Sequence, residues 1–222
     1  MNTNVWWHLT AFGDSAVLLP CALLIAAWLL AVPALRRSGW LWIGMLLADA
    51  GVVAASKVLY MGWGLHPPGL DFIGLSGHSA LSFLIWPVVG ALAAARARPG
   101  WRALGIAAGA LLALGVTVSR LVLHAHSPSE ALLGGVWGAL LAGSFLGLSR
   151  WPLAVPAAGR WIALSLLLPL FVTYGQVFPS NRVLAWVALR LSGHAAIYTR
   201  RDLGRWAGTS LPQVLPRLEH GI

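Results

Sequence analysis

Charge is scarce in this 222-residue chain. Only 9% of its residues are Asp, Glu, Lys or Arg, against about 25% in an ordinary soluble domain, so most of the surface is not built to face water. Lysine is nearly absent: Lys57 is the single one. Cysteine is reduced to Cys21, set inside an apolar run, which excludes an internal disulfide and leaves the compartment open. The first fifteen residues hold no Lys or Arg, and the apolar run from Ala16 to Leu35 exceeds the h-region of a secretory leader. A retained spanning helix is expected there. No internal repeat is present, since the second Ser-Gly-His, at 192–194, lacks the surroundings of the first. No metal-ligand set appears beyond His124 and His126, and no cofactor is expected.

What is abundant is apolar: 59% of the chain is hydrophobic. Six segments of about 18–22 residues, the length a hydrocarbon core needs, fall at 16–35, 40–59, 78–95, 101–122, 130–148 and 160–178. In lipid each must be helical, because unpaired backbone groups there cost several kcal/mol each. The expected fold class is therefore all-α, a polytopic bundle of six transmembrane helices. Residues 1–15 read as an interfacial lead-in with Asp14 and Ser15 as helix caps. A short re-entrant or interfacial element is expected within 60–77. Of thirteen Trp, Trp6, Trp7, Trp40, Trp42, Trp63, Trp101, Trp151 and Trp161 sit beside loops or charges, as at a bilayer interface.

The net charge is +9, but the basic residues fall between apolar segments. That pattern points to membrane orientation and anionic headgroups rather than nucleic acid. Arg36, Arg37, Arg96, Arg98, Arg102, Arg150 and Arg160 mark three short loops as cytoplasmic, which puts 60–77, 123–129 and both termini outside. Small residues recur at Gly105/Gly109, Gly134/Gly138 and Gly143/Gly147, a spacing that lets helices approach closely in lipid. Residues 1–178 are read as the membrane domain and 179–222 as a basic amphipathic tail, with an interfacial helix over Asn181 to Leu191.

Polar residues inside apolar spans are costly and usually functional. Here they gather at one level. Lys57 ends the second span; Ser76, Gly77 and His78 open the third; Arg120 ends the fourth; His126 and Glu130 lead into the fifth. In an antiparallel bundle these ends share one membrane face. Their chemistry suits a phosphoryl group: Lys57 and Arg120 supply fixed charge, Ser76 and Gly77 a helix N-terminus open to an anion. His126 can attack phosphorus while Glu130, four residues on, orients its other nitrogen. His78 can protonate the leaving oxygen. Asp49, mid-span, is expected to be a buried polar partner, and Asp71 to brace the loop before Ser76. His124 is placed at the rim.

These residues resemble the type-2 phosphatidic acid phosphatase (PAP2) superfamily, whose pattern is a Lys-initiated motif ending Arg-Pro, then Pro-Ser-Gly-His, then Ser-Arg-x5-His-x3-Asp. The resemblance covers roughly 45–150 and is carried by Lys57, by Leu75-Ser76-Gly77-His78, and by Ser119-Arg120 with His126 and Glu130 following. It implies a phosphohistidine on His126 held by Glu130, His78 as general acid, and Lys57, Ser76, Gly77 and Arg120 around the transition state, without a metal. Three positions depart from the pattern. Gly64-Leu65 stands where Arg-Pro is expected, Leu75 replaces Pro, and Glu130 replaces Asp. His66, or a tail arginine such as Arg200 or Arg201, is the expected stand-in for the missing Arg.

The implied activity is hydrolysis of a lipid-linked phosphate at the outer face of a bacterial-type inner membrane. Phosphatidate, phosphatidylglycerophosphate, lipid A phosphates and undecaprenyl diphosphate are candidates, and the resemblance favours a polyprenyl diphosphate. Transfer of the phosphoryl group to a lipid hydroxyl or phosphate would use the same site. Two other classes compete. A rhomboid-like serine protease would use Gly74-Leu75-Ser76-Gly77 with His126, but leaves Lys57, Arg120 and Glu130 unexplained. A transporter would need polar lining along a pathway rather than at one end. The sequence sets no oligomeric state.

Overall fold

The computed structural model describes residues 3–95, 98–149, 165 and 167–203. Arg96, Arg150, Arg160, Trp151, Trp161 and the tail beyond 203 lie outside the described residues. Among those described, the only regular structure is helical: α1 (Thr3–Ala11), α2 (Ser15–Ala31), α3 (Arg36–Trp63), α4 (Gly77–Ala93), α5 (Pro99–Val122), α6 (Pro128–Leu148), α7 (Leu167–Thr173) and α8 (Ser180–Ser192). Four stretches are long and apolar enough to cross a membrane: Asn4–Ala31, Pro33–Trp63, Gly100–Val122 and Pro128–Leu148.

The helix boundaries have local causes. Asp14 caps α2 by accepting the Ala16 N–H at 2.8 Å, and a 3₁₀ turn over Pro33–Leu35 reverses the chain into α3. Ser76 caps α4. Ser127 and Glu130 form a reciprocal capping box at the start of α6, which satisfies two orphan donors at once. Gly64, left-handed at φ 70°, closes α3.

Short α4 is the axis. It is buried along most of its length and packs against α5 on one side and α6 on the other. Glycines permit this. A Cβ on Gly105 or Gly109 would overlap the backbone of Gly90 or Trp86 in α4, and one on Gly134 or Gly138 the carbonyls of Ser76 or Ala80. The third expected pair differs: Gly143 and Gly147 face open space. Leu18, Cys21 and Ile25 of α2, Trp42 of α3, Leu84, Ile85 and Val88 of α4, and Phe145 of α6 form the core cluster.

Trp42 corrects one expectation, and the structure refines others. Trp42 is fully buried, donating to the Ala22 carbonyl at 2.9 Å with its ring against Phe145; a buried acceptor and an aromatic partner outweigh its place near a loop. Trp7, Trp40, Trp63 and Trp101 are exposed. The lead-in is a helix, α1, that packs on α5. No separate helix forms within 60–77, because α3 runs on through Trp63 and the rest is irregular. The expected sixth span, 160–178, is helical over Leu167–Thr173; 160–164 and 166 lie outside the described residues, and the chain leaves the helix at Gly175, φ 82°. Asp49 is 1% exposed, yet its Oδ1 has no hydrogen-bond partner among the described residues.

Packing at the α4–α6 seam yields a matched pair. Gly138→Ala should destabilise the protein by roughly 1–3 kcal/mol through overpacking, while Gly143→Ala should be neutral or slightly stabilising, since Ala is the better helix former. Thermal unfolding in detergent compares the two.

Candidate active site

The ends of α3 and α5 and the starts of α4 and α6 meet at one end of the bundle. Arg36, Arg37, Arg98 and Arg102 belong to the opposite ends of α3 and α5. Where the four ends meet, Lys57, Gly77, His78, Arg120 and His126 line a single cavity of about 270 Å³. The rest of its lining is largely apolar, with Leu19 of α2, Leu46 and Val53 of α3, Leu81 of α4, and Val183 and Leu184 of α8; Asp49 is the acidic exception. A second cavity, about 590 Å³, shares His78 and Arg120 and is bordered by Thr10, Asp14, Gln176, Asn181 and Arg182 as well as by Trp7, Leu123 and Val177. Phe178, Ser180 and Asn181 border both.

His126 is aimed by the chain around it. Helix α5 ends in a Schellman turn: Ala125 N–H donates to the Arg120 carbonyl at 3.0 Å and His124 N–H to Leu121 at 3.0 Å, the pairing expected when the residue past the helix is left-handed. That residue is His124, at φ 52°. It is exposed, and its contribution is this turn. His126 then donates from Nδ1 to Glu130 Oε2 at 2.7 Å, with Nε2 left as the free ring nitrogen.

Glu130 is fully buried and densely bonded. Its carboxylate accepts from Ile73 N–H at 2.8 Å and Ser127 N–H at 3.2 Å as well as from His126. The extra methylene relative to Asp lets the side chain fold back into the capping box, so one carboxylate both starts α6 and grips the imidazole. Arg200 also reaches it, with Nη2 at 2.6 and 2.7 Å from the two oxygens, while Nη1 donates to Asp71.

The cationic residues are held by neutral partners. Lys57 Nζ donates to Asn181 Oδ1 at 2.9 Å. Arg120 Nη1 donates to Thr10 Oγ1 at 2.8 Å, and its buried Nε has no partner among the described residues. Among the described residues neither charge is cancelled by a direct carboxylate contact, so both remain available to an anion. His78 Nε2 lies 3.6 Å from Asp14 Oδ2, in reach of a carboxylate when protonated.

The remaining expected residues separate. Ser76 Oγ is fully buried and spent locally, accepting from the Ser79 N–H at 3.4 Å and the Ser79 hydroxyl at 3.1 Å. Gly77 lines the cavity, and a Cβ there would meet only Val53 at 3.5 Å. The N–H groups of Gly77 and His78 have no partner among the described residues, as at any helix start. Leu75 uses the N–H that Pro would lack, donating to Ser56 Oγ at 3.0 Å. Gly74, at φ 128°, lies where a Cβ would be 2.6 Å from Lys57 Cγ. His66 hydrogen-bonds the Pro67 carbonyl at 3.1 Å and lines neither cavity. Asp71 braces from outside: its carbonyl accepts both Ser127 and Ser129 hydroxyls at 2.5 Å. Among the described residues, no three His, Cys, Asp or Glu side chains are grouped as metal ligands.

Sequence reasoning missed Thr10 and Asn181 as partners and saw Asp14 only as a cap. Each is a small polar residue far along the chain from the group it serves. The polar side chains flanking apolar runs were the available signal, but nothing in them names a partner.

Burial pushes the His126 imidazole below its ordinary range. Its hydrogen bond to Glu130 pulls the other way, and the charges of Lys57 and Arg120 add to the downward push. In ¹⁵N spectra His126 should therefore titrate at lower pH than an ordinary histidine, carrying its proton on Nδ1 when neutral. Glu130→Gln, which removes the carboxylate, should move that transition lower still.

A relative from Klebsiella pneumoniae, described as an uncharacterized 22.5 kDa protein in the cps region, is 36% identical over 206 residues, spanning 91% of this chain and 99% of its own length. No solved structure matches the chain. The PAP2 superfamily pattern matches residues 58–152, starting one residue after Lys57 and taking in both histidines of the cavity. On that match and that arrangement of side chains, the chain belongs to the PAP2 superfamily, a family of phosphatases.

Proposed function

We propose that this protein is an integral membrane phosphatase that hydrolyses a lipid-linked phosphate or diphosphate through a phosphohistidine on His126. One observation carries the reading: Lys57, His78, Arg120 and His126, from separate parts of the chain, line one cavity whose remaining lining is largely apolar. A phosphate at the polar end would leave its lipid portion against Leu19, Leu46, Val183 and Leu184, between α2, α3 and α8. Water would arrive from the larger cavity, which shares His78 and Arg120.

In this mechanism Nε2 of His126 attacks phosphorus as the bond to the leaving oxygen breaks. His78 delivers a proton to that oxygen. Lys57, Arg120 and the free N–H groups of Gly77 and His78 hold the three non-bridging oxygens, where charge accumulates. Glu130 stabilises the imidazolium character that develops on His126. Water then attacks the phosphohistidine, His78 takes its proton, and phosphate leaves. If a lipid hydroxyl or phosphate attacks instead, the same steps give transfer.

In this reading the bundle crosses the membrane six times; the positive-inside rule puts the basic ends of α3 and α5 in the cytoplasm and the site at the exterior or periplasmic side of a bacterial-type inner membrane. Anionic headgroups would meet the tail arginines. The protease reading loses support, because the Ser76 hydroxyl is buried against Ser79 and borders neither cavity.

Phosphate release should be measured from a panel of polyprenyl diphosphate, phosphatidate, phosphatidylglycerophosphate and lipid A phosphates. Wild type should release phosphate from at least one, with inhibition by vanadate. His126→Ala should be at background. Lys57→Ala or Arg120→Ala should lose about 10²–10³-fold, the range for one transition-state donor. Release by His126→Ala at wild-type rate would defeat the phosphohistidine, and no release from any lipid would defeat the substrate class.

A further inference from the structure

Arg200 arrives at the site on a segment outside the matched family region. Residues 193–202 lie as a strap along the last turn of α3. Tyr198 N–H donates to the Met61 carbonyl at 2.8 Å, the His194 ring to Gly62 O at 2.8 Å, and the Tyr60 hydroxyl to Thr199 O at 2.8 Å. Thr199 and Asp202 close a small box, with Thr199 N–H and hydroxyl donating to Asp202 Oδ2 at 2.7 and 2.8 Å. Helix α8, which leads into the strap, packs on α3 at Gly62, where a Cβ would sit 3.4 Å from Ser192 and 3.8 Å from Ala188 Cβ. A backbone seam thus fixes the root of the Arg200 side chain.

At its tip the guanidinium is committed to carboxylates. Nη2 contacts both oxygens of Glu130 and Nη1 contacts Asp71. Glu130 is fully buried, and a buried carboxylate without a compensating charge is expensive. Of the charged groups around the pair, Lys57 is bonded to Asn181 and Arg120 to Thr10. Neutral His126 brings no charge, and His78 turns to Asp14. Arg200 alone among the described residues meets Glu130 as a permanent cation.

Resting on the phosphohistidine reading, we infer that Arg200 is a positioning residue of the reaction, delivered by the 193–202 strap to clamp Glu130, the carboxylate to which His126 donates. The clamp holds both carboxylate oxygens, so that Oε2 stays on the imidazole Nδ1–H. Arg200 therefore does not supply the phosphate contact that Gly64 leaves open; its terminal nitrogens are used on the carboxylates of Glu130 and Asp71.

The test compares wild type with Arg200→Ala, Arg200→Lys and Tyr60→Phe, the last removing one strap anchor. Three quantities are read: the split between kcat and KM, inhibition by vanadate as a phosphate mimic, and the ¹⁵N titration of His126. For Arg200→Ala, kcat should fall about 10–100-fold, as for groups that orient another functional side chain, while KM and vanadate inhibition change less than about threefold. The His126 transition should move to higher pH, because removing a cation beside Glu130 strengthens the carboxylate's hold on the imidazole proton. Arg200→Lys should recover part of kcat, since Lys gives a point charge without the fork. Tyr60→Phe should show a smaller loss of the same kind. A loss confined to KM and vanadate binding would make Arg200 a phosphate ligand and overturn the inference. So would an unmoved His126 titration, which reads the clamp even if wild type released phosphate from none of the lipids and the proposed activity had failed. Should Arg200→Ala not fold, Arg200→Lys with the same titration decides the matter.

Discussion

The buried carboxylate of Glu130 is the joint on which this end of the molecule depends. It accepts from the His126 ring, from the backbone of Ser127 and Ile73, and from Arg200. The Glu130 carbonyl also receives the Ser76 N–H at 3.1 Å. One residue thereby ties the start of α6 to the loop entering α4, the turn leaving α5 and the strap along α3. A carboxylate in so dry a place needs nearly all its lone pairs matched. That requirement makes the surrounding geometry stiff, and stiffness is what an attacking imidazole needs.

Around that joint two cavities meet. One takes in aliphatic side chains of α2, α3, α4 and α8 together with Lys57 and His126, the other takes in residues of α1 and the 175–182 segment, and His78 and Arg120 border both. A substrate with a phosphate at one end and hydrocarbon at the other matches the first cavity, which offers cationic and imidazole groups beside an aliphatic wall. The departures from the family pattern read consistently in the same frame. Leu75 keeps an N–H that is bonded, and Glu130 gains the reach to cap its own helix while holding His126. The position of the missing arginine, Gly64, instead ends α3 in a left-handed turn.

The apolar runs and the spacing of Arg120, His126 and Glu130 were enough to determine the helical class, most helix positions, and the residues of the cavity that share an end of the bundle. They sufficed because helix period, helix length in a bilayer and the i,i+4 pairing of His126 with Glu130 are local properties, written within a few turns of chain. Only the tertiary structure decided that Arg200 serves Glu130, that Asn181 and Thr10 hold Lys57 and Arg120, that Ser76 is spent on Ser79, and that Gly143 and Gly147 face outward. Those outcomes depend on which helix faces pack and where the chain after α8 returns. The contacts of Arg200, Arg120 and Lys57 join residues 70 to 124 positions apart, and no local periodicity encodes a partner at that separation.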